Sequence, residues 1–335
     1  SKLTDALIEI TDIEAYKDAL NQLLPEPYLQ AAMSGVTAAS QFSDALVGCH
    51  DQDERSETQH TCLWFDAGGG YLQRDETEEY LGSHETVQKI GTGVETDIAP
   101  DLRLGVAARY ERVNQDVYVN SQSDGHRAQV GASIIYEPGD LLLAAAASVG
   151  RGWLDTERSV AFNGFTGDAS GDQDIGLLHA KLRAAYRFDF GKGYLKPLID
   201  LDATEVSYGG VEESGGNGAA FRVNSSTKTV LSASPSLEIG GEWNLNSDVA
   251  LRPFLKAGAT FYEDPTFTLS SAFEEAPAGT PHFTTREELD SVLASITAGV
   301  DLVGRDGSGV RLFYEGTFGE TTQQQGGGIT AQVSF

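Results

Sequence analysis

Three groups of residues have the types and spacing for chemistry. Cys49-His50 and His60-Thr61-Cys62 bring four soft ligands into one short stretch, a donor set that zinc accepts. Adjacent cysteine and histidine are poor ligand geometry, and a Cys49–Cys62 disulfide is the competing reading. Asp200 and Asp202 share one parity, as the paired carboxylates of an aspartyl-type hydrolase would. Such a site also needs a His or Ser partner, and no histidine lies near these two in the sequence. Lys196 falls on the same face, so ion pairing is the expected role. Asp124-Gly-His126 is equally thin, and the other scattered histidines show no metal spacing. The third group is the largest. Lys89, Arg103, Arg109, Arg127, Lys181, Arg183, Arg187, Lys196, Arg252, Lys256 and Arg311 recur on one parity of alternating segments. Glu95, Glu111, Asp200, Asp202, Glu238, Glu242, Asp301 and Glu315 share that parity.

The elements that would position these charges are strands. From Leu63 onward the pattern has period two, which marks a strand with one apolar and one polar face. About twelve strands are expected, near 62–73, 86–97, 101–113, 126–137, 140–154, 174–189, 194–206, 227–244, 249–262, 290–303, 309–319 and 327–335. Along 102–110, Leu102, Leu104, Val106 and Ala108 oppose Arg103, Gly105, Ala107 and Arg109. Every second connection is short, such as Pro138-Gly139 and Asn246-Ser247. The others read as long acidic loops, at Asp75–Glu85, Asp155–Asp172 and Glu263–Glu288. Tight turns at one end and long loops at the other fit an up-and-down barrel in a membrane, with the charges lining the lumen. Aromatics fall near strand ends: Tyr71, Tyr110, Trp153, Phe261 and Phe318 toward the loops, Tyr136, Phe188, Trp243 and Phe335 toward the turns. Interfacial girdles have that distribution. The last strand, Gly326–Phe335, alternates Ile329, Ala331, Val333 and Phe335 with polar residues and stops on an aromatic.

Composition excludes other classes. Among 335 residues, 23 basic and 50 acidic side chains leave a net charge of −27, against nucleic-acid binding. No apolar run approaches the ~18–20 residues of a membrane helix, and Leu141–Ala147 is the longest. Ser1 does not open a signal peptide, so the chain reads as the C-terminal part of something longer.

The first 47 residues are helical in character. Thr11-Asp-Ile-Glu14 is a capping box that opens a helix over 12–23. Pro25 and Pro27 interrupt it, and a second helix is expected over 27–47. That second helix is small and polar around most of its girth. A helix without a broad apolar face needs an enclosing, narrow, polar environment. At ~1.5 Å per residue it is about 30 Å long, matching a bilayer core. The expected architecture is therefore all-β, a twelve-stranded antiparallel transmembrane β-barrel with an N-terminal α-helix in the lumen. The expected divisions are a linker helix region (1–24), a pore helix with the cysteine loop (25–61) and the barrel (62–335).

The chain resembles the C-terminal translocator domain of bacterial autotransporters, the type V secretion family. The matching features run in order along nearly all of it. They are Ala15–Tyr28 before the second helix, Cys62-Leu-Trp64 with Gly68-Gly-Gly70, Arg252-Pro-Phe254 after a tight turn, and the closing strand. The resemblance implies a bacterial outer-membrane protein that delivers an N-terminal passenger domain, preceding Ser1, to the cell surface. It implies outer-membrane lipid, the barrel-assembly machinery and the chain's own passenger as partners, a monomeric barrel and no nucleic acid. Ile329, Ala331, Val333 and Phe335 would be the assembly signal. No catalytic group, cofactor or metal is expected. Some members cut passenger from barrel at an Asn-Asn step in the pore helix; this sequence has no Asn-Asn, so self-cleavage is not carried over. An exported chain meets an oxidising periplasm, which favours the Cys49–Cys62 disulfide over zinc. The alternatives are an outer-membrane barrel enzyme and a diffusion porin.

Overall fold

The structure, a computed structural model, describes residues 2–47, 49, 61–78, 80–118, 121–277 and 279–335. Twelve long strands form the barrel. They are β1 (Thr61–Arg74), β2 (Ser83–Ala99), β3 (Leu102–Val117), β4 (Ser121–Tyr136), β5 (Leu141–Phe162) and β6 (Phe165–Tyr186). The second half is β7 (Gly193–Tyr208), β8 (Ser226–Gly241), β9 (Val249–Glu263), β10 (Val292–Gly304), β11 (Gly309–Phe318) and β12 (Thr322–Ser334). Each pairs antiparallel with its sequence neighbour. β12 closes on β1, with Ser334 opposite Cys62 and Thr322 opposite Arg74. Closure leaves the barrel wall with no open edge, which is what a strand wall in hydrocarbon requires.

The faces are inverted relative to a water-soluble barrel. Phe65, Ile90, Val106, Val130, Leu182 and Val333 are exposed on the outside, while Glu111, Arg127, Lys181 and Asp200 are buried inside. Exposed aromatics band both ends, with Tyr110, Trp153 and Phe261 near the loops and Tyr136, Phe188, Trp243 and Phe335 near the turns. At the closing seam Gly68, Gly69 and Gly70 stand opposite Gly328, Gly327 and Gly326. A Cβ on Gly68 would lie 2.6 Å from the Gly327 carbonyl oxygen, so this curved contact admits only glycine.

The loop end differs from the sequence expectation. The segment 155–172, read as a long loop, is strand: β5 and β6 stay in register up to Phe162 opposite Phe165. Asn163 and Gly164, both at positive φ, make the two-residue turn. The hairpin therefore stands roughly 25 Å along the strand beyond residue 155. The connections β3–β4 and β11–β12 are short too, so the sorting into short turns and long loops is partial. Segment 263–288 is not a plain loop either. Its strands Thr266–Phe273 and Phe283–Glu288 join Phe221–Val223 and Val211–Glu212 in a four-stranded lid.

Three helices precede the barrel: α1 (Lys2–Ile8), α2 (Ile13–Asn21) and α3 (Glu26–Ala45). α2 is capped by Asp12, whose carboxylate accepts from the Ala15 N–H, and α3 carries proline in its first turn. Leu3 and Ala6 of α1 pack on Val160 and Phe165 of the long hairpin. α3 runs through the lumen, from the lid at its start to the turn end at its finish. No helix among the described residues is long and apolar enough to cross a membrane.

Candidate functional site

The site is the sleeve of contacts between α3 and the wall. Fifteen residues of this 20-residue helix are buried, polar ones included. Tyr28, Leu29 and Met33 widen its first turns. They fill a core with Phe221, Phe267, Leu269 and Val211 of the lid region. Below them the helix narrows. A Cβ on Gly35 would meet Leu177 Cδ2 at 2.9 Å, so the smallest residue stands where the wall comes closest.

At the loop end the helix is knotted to three surface segments. The Tyr28 hydroxyl donates to Glu213 Oε1 at 2.7 Å. Arg158 of β5 donates to both oxygens of the same carboxylate, at 2.7 and 2.8 Å. It also donates to the carbonyls of Gln22 and Ala219, and stacks over the Phe221 ring. This ion pair is fully buried, yet the guanidinium is well satisfied, which is the condition for a buried charge to persist. Burial and the Glu213 charge push the Tyr28 phenol well above its usual range. Beside the knot, Glu26 accepts from the Leu81 N–H and Gln30 donates to Glu287 of the lid.

In the middle, Arg127 donates to Glu111 and to the Ser34 hydroxyl, both at 2.8 Å. Gln129 donates to the Ala38 carbonyl. At the turn end, Asp44 accepts from Lys181 at 2.7 Å and from Arg183 at 2.6 Å. Arg109 lies over the Phe42 ring. Ser133 donates to the Leu46 carbonyl, an orphan acceptor of the helix C-terminus. The Cys49 N–H donates to Glu95, and Arg103 to the Cys49 carbonyl. A disulfide joins Cys49 to Cys62 at the foot of β1. His50 and His60, the other members of the zinc reading, lie outside the described residues.

The grip is one-sided. α3 packs against β3 to β7. On its other side a crevice runs down the lumen. Its lower part, about 190 Å³, is lined by Trp64, Phe254, Lys256, Arg311 and Phe313. Its upper part, about 130 Å³, ends beneath the lid at Tyr262, Leu289 and Asp290.

The expected lumen cations therefore separate into groups. Arg127, Lys181, Arg183 and Arg109 touch the helix, and Arg103 touches the segment just after it. Lys196, Arg252 and Arg311 pair with Glu238, Glu242 and Asp301 on the wall itself. Lys256 lines the crevice. Arg187 does not face the helix: it lies in the turn after β6 and pairs with Asp189. Lys89 links Gln41 of the helix to Glu315 across the crevice. Asp200 and Asp202 do pair with cations, but with Arg183 and Lys181 on β6 rather than Lys196. A histidine missed in the sequence is also there. His179 on the adjacent strand sits 3.1 Å from Asp202 and 2.8 Å from the Thr204 hydroxyl. This Thr–His–Asp row is sealed from solvent at 2% (Thr204) and 1% (His179) exposure. Arg158, Glu213, Gln30 and Glu287 escaped the sequence reading because they lie in segments taken for loops or outside the alternating pattern.

A profile described as Autotransporter beta-domain matches residues 63–315, more than half of the chain. Solved structures give the same fold at low identity. The translocator domain of the autotransporter NalP from Neisseria meningitidis is 14% identical over 91% of this chain and 97% of that one, with a TM-score of 0.67. The beta domain of the Bordetella autotransporter BrkA is 15% identical, covering 82% and 99%, at 0.60. The transport unit of AIDA-I from Escherichia coli is 13% identical, covering 88% and 97%, at 0.57. No curated protein matches.

Proposed function

The chain belongs to the autotransporter β-domain family and is an outer-membrane translocator; from that premise we propose that α3 is the retained plug and tether of its passenger. The observation that carries this is the path of the chain. It comes from the loop end, descends the lumen as α3 and enters β1 at the turn end through the Cys49–Cys62 bridge. A passenger attached ahead of α1 is thereby held on the cell-surface side, with the barrel as its anchor. The contacts of Tyr28, Ser34 and Asp44 resist its withdrawal. The disulfide fixes the hand-over from helix to wall, and closing so short a loop is worth roughly 2–4 kcal/mol.

In this reading the chain carries out transport and no reaction of its own. The burial of His179 and Thr204 favours that over a barrel hydrolase. The occupied lumen favours it over a diffusion porin. The outward row Ile329, Ala331, Val333 and Phe335 serves as the signal for the barrel-assembly machinery, and the closed register supports a monomer. A folded reporter fused ahead of Ser1 tests the tether. It is expected to be shaved by protease added to intact cells. A reporter that stays protected while the barrel is inserted would sink the proposal.

A further inference from the structure

Two arginines face outward near the loop end of the barrel, on β3 and β5 with β4 between them. Arg112 of β3, His126 of β4 and Trp153 of β5 stand side by side in the ladder, and all three are exposed. Tyr110 and Arg151 lie one outward position nearer the bilayer centre, on either side of Ala128. Tyr110 and Trp153 belong to the loop-end girdle, whose rings sit at headgroup depth. We propose that Arg112 and Arg151, framed by Tyr110, His126 and Trp153, seat the phosphate of an anionic lipid of the outer leaflet. The seat rests on the translocator's orientation, loops outside, and on nothing of the tether.

Both cations have donors left for a ligand. Arg151 donates to Asp174 and lies over the Trp153 ring, 5.8 Å from its centroid. That ion pair is solvated, with 59% and 57% of the two side chains exposed, so the carboxylate holds the guanidinium weakly. Most of the five N–H donors of Arg151 remain unused. Arg112 has no hydrogen-bond or ion-pair partner among the described residues. Its neighbours in the ladder, Gln88 and His126, are not acids. The Tyr110 hydroxyl lies 2.7 Å from His126 Nδ1 and the two rings stack, which fixes the strip between the arginines. A planar guanidinium matches two phosphate oxygens at once, so a pair of them one strand apart suits a lipid phosphate.

The surroundings confine an anion to this level. Below lie Val130, Val149 and Leu178, apolar and exposed on the lipid face. Above, Asp124, Asp155 and Asp172 stand side by side in the next outward row, and Asp124 accepts from Asn114. Those carboxylates repel an anion that rises past the arginines, and hydrocarbon does not admit one beneath them. At the same end of β7 and β9 the outward charges are Glu205 and Glu263, so the seat lies on one side of the barrel.

Native mass spectrometry of the full chain, folded in a zwitterionic detergent and titrated with lipid A, a glycolipid bearing two phosphates, tests this. The parent chain should retain lipid A, and the double variant Arg112→Gln, Arg151→Gln should lose that retention severalfold. Arg112→Gln alone breaks no contact and should already weaken it. Arg222→Gln, on the lid, should retain lipid A as the parent does. Phosphatidylcholine, whose phosphate carries its own compensating cation, should be held weakly by every chain. Heat-modifiable migration on gels checks that the variants remain folded barrels. Equal retention of lipid A by the parent and both variants at the seat would overturn the proposal, as would equal retention of the two lipids by the parent. So would displacement of the lipid by excess inorganic phosphate, because the arginines would then be a site for the free ion.

Discussion

The two halves of the lumen wall carry similar charges and use them differently. On β3 to β6 inward cations reach the helix: Arg127 takes Ser34, and Lys181 and Arg183 converge on Asp44, while Lys196 on β7 pairs with Glu238 on the wall. On β8 to β12 Arg252 and Arg311 are already matched on the wall itself, and Lys256 faces the crevice. Arg311 pairs with Asp301 directly opposite in the ladder, and Arg252 with Glu242 across the turn. The first wall is completed by the helix, whereas Arg252 and Arg311 of the second are paired without it. The helix accordingly lies against the first and leaves water against the second. Cross-strand pairing satisfies a wall locally. Charge left over from it is what can bind a guest.

The largest effect comes from removing the guest. Deleting residues 1–47 should leave a closed, heat-modifiable barrel, because the β1–β12 register needs no helix residue. Conductance in planar bilayers should rise well above that of the intact chain. Equal conductance would mean that the helix does not block the pore, and the distinction between walls would lose its meaning.

Next come the contacts of the gripping wall. Arg127→Met leaves Glu111 buried without its partner, and breaking such a pair costs about 3–5 kcal/mol. Thermal unfolding in detergent should show the loss, and Glu111→Gln in the same chain should recover much of it. Asp44→Asn weakens two charge-assisted bonds. Its side chain is 42% exposed to crevice water, so about 1–2 kcal/mol is expected. Lys181 and Arg183 keep Asp200 and Asp202, so the wall survives and the helix end frays. Faster hydrogen exchange confined to the last turns of α3 would register this. No change there would remove Asp44 from the grip.

The strands and the enclosed helix were legible beforehand, and the limits of that reading have physical causes. Period two exposed the strands and the inward parity, since a strand wall between lipid and water must alternate. The slim helix announced a narrow enclosure through Ala31, Ala32, Gly35, Ala38 and Ala39. Which cations touch it was not legible, because parity gives a face and not an azimuth. Arg127 and Arg311 look alike in sequence and differ only in which side of the lumen the helix occupies. His179 beside Asp202 was hidden for a related reason: cross-strand neighbours are distant in sequence. The long hairpin was a misreading with a signal in plain view. Asn163-Gly164 is a two-residue hairpin turn, and Val160 to Ala169 alternate in burial around it. Its polarity, Asp155 to Asp172, outweighed that signal because strands beyond the bilayer no longer need an apolar outer face.

The smallest effect should fall on the crevice wall. Arg311 and Asp301 are partly open to crevice water, at 28% and 15% exposure, and neither reaches the helix. A solvated pair of this kind is worth about 0–1 kcal/mol, so Arg311→Gln should barely move the unfolding temperature and leave the exchange of α3 unchanged. It does remove a positive charge from the lower crevice and leaves Asp301 there without its cation. In the helix-deleted barrel, where that side carries current, the same substitution should shift selectivity toward cations. Reversal potentials under a salt gradient would read the shift. A large loss of stability, or a loosened α3, would show that the second wall also holds the helix, and the asymmetry between the walls would fail.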